Sequence, residues 1–211
     1  MPSFIGFSGT DSQNVAKAYK AARQGLESLV ADIYKGTGAG TKFDIQFKKY
    51  MGNAPSGAGG TKEFNTAITT LVETCKAMNA KIASFTFKVV YDANLGSNAE
   101  MLSFGIASKT ASEIQDLVDG YAYAQGHGAM PMTVGPGMFA NPAWAIDAQC
   151  HVESFLHELS HHAAGTIDDT QGGECYGLTG VNRLKAIGPT RAVRNAENVG
   201  FFCMAWVNRI T

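Results

Sequence analysis

Between Ala148 and Ala164 the chain reads AQCHVESFLHELSHHAA, and no other stretch restricts its structure so tightly. Val152, Phe155, Leu156, Leu159 and Ala163 recur at helical spacing, which predicts a helix with one face in a core. At 3.6 residues per turn, His157 and His161 fall roughly 140–180° from the centre of that stripe, so both imidazoles are expected to leave the core side and face a cleft. Their four-residue separation sets them one turn apart, where both can reach a single cation.

Zinc suits such a pair because it accepts neutral imidazole together with carboxylate in tetrahedral geometry, and a catalytic site keeps one position for water. Glu158, next to the first histidine, is placed to take that water's proton. The expected chemistry is metal-assisted hydrolysis of an amide, with Glu158 as general base, His157 and His161 as ligands, and one zinc per chain. The bland alternative is a polar helix face carrying two incidental histidines.

A third protein ligand must come from elsewhere. The pattern HExxHxxGxxH fails, since Ala164 and Ile167 stand where its glycine and last histidine belong. A glutamate from a later helix would point to Glu174, but Gly172 and Gly173 before it read as loop. Immediately after the predicted helix, Gly165-Thr166-Ile167-Asp168 would turn the chain back and present a carboxylate, with Asp169 as a second candidate.

HExxH followed by GTxD resembles the aspzincins, the family of deuterolysin and the fungal peptidyl-Lys metalloendopeptidases, over about the last third of the chain from Met130 onward. The resemblance implies a zincin-like fold and a zinc endopeptidase in which Asp168 is the third ligand. It also implies that Tyr176, in Tyr176-Gly177, supports the oxyanion of the scissile carbonyl. Tyr176 lies eight positions past Asp168, farther than the family's usual interval, so Thr170 to Cys175 reads as an insertion and a buried structural tyrosine is the alternative. Asn195-Ala196-Glu197-Asn198, ahead of the apolar run from Val199 to Val207, is similar to the family's NAD-type segment. By that likeness Glu197 would bind a substrate Lys or Arg after the scissile bond; a solvated carboxylate at a helix start is the equal alternative. The second acid expected one turn later is absent, since Gly200 and Phe201 stand there. His162, adjacent to His161, cannot share its direction on a helix, and His151 and His127 are not assigned to the metal.

The chain's 211 residues, 45% hydrophobic and 17% charged, fit one globular domain spanning residues 1–211. A formal charge of -1 with no dense Lys/Arg run argues against a nucleic-acid partner, and no stretch approaches the roughly 20 apolar residues of a membrane span. Polypeptide substrates and a monomeric enzyme are expected. Peptidases of the resembled family act outside the cell, so secretion is expected, through a signal already trimmed or by another route, because Met1 to Gly6 lacks a basic segment followed by an apolar one. Cys75, Cys150, Cys175 and Cys203 allow two disulfides or buried thiols equally. The rival function is a non-catalytic binding or structural module with an inert zinc site; a zinc hydrolase of a non-peptide amide is a third possibility.

Elsewhere the periodicity predicts a helix over Asp11 to Lys35, with Thr10 or Asp11 as N-cap and Gly36 as stop, and another from Phe64 to near Asn79. Gly36 to Gly60 reads as a loop broken by a short apolar piece at Phe43 to Phe47. Phe85 to Tyr91 and Met101 to Ala107 look like a β-hairpin, with another strand at Met130 to Val134. The expected class is α+β, helix-dominated, with a small sheet.

Overall fold

A computed structural model of the chain describes residues 3–54, 58–91, 132–134, 139, 142–145, 147–170 and 173–208. The long amphipathic repeat near the N-terminus forms α1 (Gly9–Lys35), burying Val15, Ala18, Tyr19, Ala22, Leu26, Leu29 and Ile33 along one stripe. Its N-cap is Ser8, two residues before the expected start, and Gly36 ends it as expected, donating its N–H to Asp32 O and Ile33 O.

The glycine-rich stretch that follows holds a helix where a loop was expected, α2 (Lys42–Tyr50). Two local bonds start it: Thr41 Oγ1 accepts from the Asp44 N–H at 3.2 Å, and Asp44 Oδ2 accepts from the Gly40 N–H at 2.9 Å. Phe43, Phe47 and Tyr50 then fall on one buried face. The next helix, α3 (Ala58–Ala83), is longer at both ends than its apolar periodicity suggested. It buries Ala67, Leu71, Cys75, Met78 and Ile82, and the Tyr19 hydroxyl ties it to α1 by donating to Ile82 O at 3.0 Å.

Three short strands, β1 (Ser3–Ile5), β2 (Lys88–Tyr91) and β3 (Met132–Val134), form a parallel sheet in the order β1-β2-β3. Phe4 pairs with Val89, and Val90 with Thr133. Both described partners of β2 run parallel to it, and parallel partners need a crossover, which α1 to α3 supply between β1 and β2. Met101 to Ala107 lies outside the described residues. β1 escaped the sequence reading because three residues carry too little alternation to register.

The C-terminal part contains α4 (His151–Ala164), α5 (Gly177–Ile187), the single turn α6 (Pro189–Ala192) and α7 (Ala196–Met204). The class is helix-dominated α+β, as expected. α4 is central: it packs most extensively on α7, with α1 and α3 against its other sides. It is therefore buried almost all round, and the side that carries the histidines faces protein as well as a cleft. Close approach of α4 and α7 depends on Gly200, where a Cβ would lie 2.5 Å from Glu153 Oε1 and 3.4 Å from the His157 N. Glu153 fills the space that a side chain at position 200 would need. Gly200→Ala is therefore expected to destabilise the fold by about 1–3 kcal/mol through overpacking, read as a lower midpoint in urea at unchanged slope.

All four cysteines are buried free thiols, which is the second of the two readings their number allowed. Among the described residues no helix is long and apolar enough to cross a membrane.

Candidate metal centre

His157 and His161 come from consecutive turns of α4, whose start and end are both locally determined. Cys150 Sγ accepts from the Glu153 N–H at the N-cap. At the other end Gly165 adopts φ 65°, ψ 32°, the left-handed conformation that glycine enters without a Cβ clash, and its N–H closes on His161 O at 3.0 Å. This turn directs Thr166 to Asp168 back along the helix. Ser160 Oγ and Thr166 Oγ1 lie 2.6 Å apart and pin the return.

Each imidazole is oriented by a bond at Nδ1. The His157 Nδ1–H donates to Glu197 Oε2 at 2.7 Å, and the His161 Nδ1–H donates to the Thr166 carbonyl at 2.5 Å. With both protons on Nδ1, both Nε2 atoms present lone pairs, and they present them to the same point, 3.2 Å apart. Asp168 Oδ1 completes a triangle, 3.3 Å from His157 Nε2 and 3.5 Å from His161 Nε2. That oxygen is buried and makes no well-formed hydrogen bond.

Three lone-pair atoms converging in a buried place are unstable without positive charge between them. For a tetrahedral ion with ligand bonds of about 2.0–2.1 Å, ligand atoms stand about 3.3–3.4 Å apart, which the observed 3.2, 3.3 and 3.5 Å edges match. Proton affinities tell the same story. Burial lowers the basicity of His157 and His161, yet the neighbouring carboxylates more than reverse this, Asp168 foremost, with Glu197 and Glu158 at His157 and Glu158 at His161, and His157 ends well above its ordinary range and His161 above it. Burial raises Asp168, but the two imidazoles outweigh it and hold the carboxyl well below the usual range. The pocket collects cationic charge, and a dication bound there would displace protons.

Glu158 is buried, with Oε1 3.8 Å from His157 Nε2. His157, Glu158 and His161 form a buried group able to hold a metal ion, and Glu153, His157 and Glu197 form a second. In the second group the His157 Nδ1 is already committed as a donor to Glu197, so the first is the better electron-pair donor set. Burial, reinforced by the neighbouring Glu197 charge, pushes Glu153 well above the ordinary carboxyl range.

Tyr176, at the N-cap of α5, is 44% exposed, unlike the buried tyrosine of the alternative reading. Its hydroxyl donates to Asp168 Oδ2 at 3.0 Å, and its ring lies 6.0 Å from that of His157 in a stacked orientation. Burial of the hydroxyl end and the Asp168 charge both raise its pKa, so it stays a hydrogen-bond donor at any ordinary pH. With Asp168 and His161 also part-exposed, the cluster opens to solvent on this side.

Glu197 is not a solvated carboxylate. It lies in the first turn of α7 and is 1% exposed. Oε1 accepts from Gln149 Nε2 at 3.0 Å and from the Gly177 N–H at 2.5 Å, while Oε2 accepts from the His157 Nδ1–H. Asp169 points away from the triangle into an ion pair with Arg191, which excludes it as the alternative ligand. Glu174 is engaged locally, its Oε1 accepting from the N–H groups of Cys175 and Tyr176 at 3.1 and 3.0 Å. His162 is buried against the Phe87 ring, and His151 against Phe139. His127 lies outside the described residues. The sequence reading gave no role to Thr166, which lies within the GTxD stretch and holds His161, or to Gln149, which no motif marks and which supports His157 through Glu197.

No protein-family model matches the chain, and a search of curated proteins finds no match.

Proposed function

We propose that the chain is a zinc-dependent endopeptidase of the aspzincin type. The observation that carries this reading is the triangle of His157 Nε2, His161 Nε2 and Asp168 Oδ1, sized for a tetrahedral ion and open on one side. Three protein ligands with an exposed fourth direction favour catalysis over a structural site, which closes its ion with four protein ligands. Zinc held there would supply Lewis acidity, bringing the pKa of a water towards neutrality and polarising a carbonyl.

The remaining work falls to the chain. Glu158, beside the triangle, takes the proton from the attacking water and delivers it to the departing amine. Tyr176 stands at the open mouth, and a small rotation away from Asp168 would turn its hydroxyl towards a substrate carbonyl oxygen as negative charge develops there. Glu197 fixes the tautomer and direction of His157, which favours a positioning role over contact with a substrate cation.

The test is digestion of an unfolded protein mixture by the zinc-loaded chain and by the chain after chelation, with metal content measured on both and cut sites read by mass spectrometry. One zinc per chain, cleavage abolished by chelation and restored by stoichiometric zinc are expected. Zinc binding with no cut in any polypeptide would replace the peptidase by a structural site or a hydrolase of a non-peptide amide. Enrichment of Lys or Arg after the cut would return Glu197 to substrate recognition.

A further inference from the structure

Asp168 reaches the triangle from a loop, so something other than helix geometry must hold it to within a fraction of an ångström. The structure ties both of its neighbours. On one side, the Ile167 N–H donates to Arg194 O at 2.9 Å and its carbonyl accepts from the Ala196 N–H at 2.9 Å, a single β-bridge. On the other, Asp169 is held at every polar group it has. Its N–H donates to Asn195 Oδ1 at 3.0 Å, and its carbonyl accepts from Arg183 Nη2. Its buried carboxylate receives Arg191 in a two-pronged ion pair, Nε to Oδ2 at 2.8 Å and Nη2 to Oδ1.

We propose that Arg191 is a positioning residue for the third metal ligand, acting through Asp169 to fix Asp168 on the histidine pair. This rests on the zinc reading above. A paired, largely buried carboxylate adds little net folding stability, because desolvation offsets most of the attraction, whereas two parallel N–H···O bonds define direction closely. The planar fork of arginine is needed for this, since an ammonium engages such a carboxylate as a point charge. The segment from Arg191 to Glu197 thereby orients two ligands at once: Asp168 through Arg191 and Asn195, and His157 through Glu197.

The experiment measures zinc affinity by competition with a chromogenic chelator, and the visible absorption of the cobalt(II) form, for wild type, Asp168→Asn, Arg191→Met and Arg191→Lys. Melting of the metal-free forms runs in parallel. Asp168→Asn is expected to weaken zinc binding and alter the cobalt spectrum. Arg191→Met is expected to weaken zinc by about 10–100-fold and shift the spectrum in the same direction, with Arg191→Lys between it and wild type. A folded Arg191→Met with wild-type affinity and spectrum overturns the proposal, even if its metal-free form melts lower, because that is the mark of a merely structural ion pair. Should Arg191→Met not fold, Arg191→Lys decides: weakened affinity with an altered spectrum supports the proposal, and wild-type values overturn it. If wild type binds neither ion, the zinc reading fails and takes this one with it. If wild type binds and Asp168→Asn binds equally well, zinc rests on the histidines and the positioning of Asp168 is overturned.

Discussion

Replacing Glu158 with glutamine is expected to abolish measurable hydrolysis while leaving one zinc per chain. The amide keeps the size of the carboxylate and its place beside the triangle, so the packing of α4 should not change. What it loses is the ability to accept a proton. General-base assistance is worth about 10²–10⁴ in rate, and the same group returns the proton to the leaving amine, so the loss should lie at the upper end of that range. Metal content is the discriminating measurement, because Glu158 stands near enough to both histidines to be a ligand itself. Loss of zinc together with activity would make Glu158 a ligand and leave the base unassigned. Retained zinc with retained cleavage would remove Glu158 from the mechanism. Only retained zinc with lost cleavage fits a base that does not coordinate.

The residues legible in the sequence were those whose spacing alone decides geometry. His157 and His161 share a side of α4 because four residues make a turn, and Glu158 must then sit beside them. Asp168 was legible through the motif that follows the helix, since Gly165 is the residue that permits the reversal. The surroundings were not legible, because they join residues far apart in the chain. Nothing local to Glu197 says that its helix start will pack under α4, some forty positions earlier, and deliver a carboxylate to His157. A first-turn acid on an isolated helix is solvated, and only the packing of α7 on α4 buries this one. Similarly, Arg191 and Asp169 are ordinary surface residues until the β-bridge at Ile167 and Asn195 brings them together. In the fold, α2 was missed because the glycines around it obscured its cap, in which Thr41 Oγ1 accepts from the Asp44 N–H and Asp44 Oδ2 from the Gly40 N–H.

Glu197 offers the sharpest contrast between positioning and substrate recognition. Truncation in Glu197→Ala would leave the buried His157 Nδ1–H and the part-buried Gly177 N–H and Gln149 amide without their shared acceptor. Each stranded donor costs about 1–3 kcal/mol. Breaking a buried charged pair from one side typically costs about 3–5 kcal/mol in all. At about 2–4 °C per kcal/mol for a chain of this size, the metal-free protein should melt about 6–20 °C lower. Glu197→Gln separates the roles more gently. Its volume is kept, but one of its two oxygens becomes an NH₂ group that can only face donors, so His157 loses its anchor or Gly177 does. A positioning Glu197 then predicts zinc binding weakened by about 10–100-fold in Glu197→Gln, with cut-site preference unchanged once the metal is saturating. A substrate-binding Glu197 predicts the reverse, wild-type zinc affinity with altered preference after the scissile bond. The two readings differ because a carboxylate that is 1% exposed and already accepts three hydrogen bonds, two at Oε1 and one at Oε2, must release a partner such as His157 before an ammonium can approach it closely. Tight zinc binding would make that release costly, so the better the metal is held, the less Glu197 is free to read a substrate.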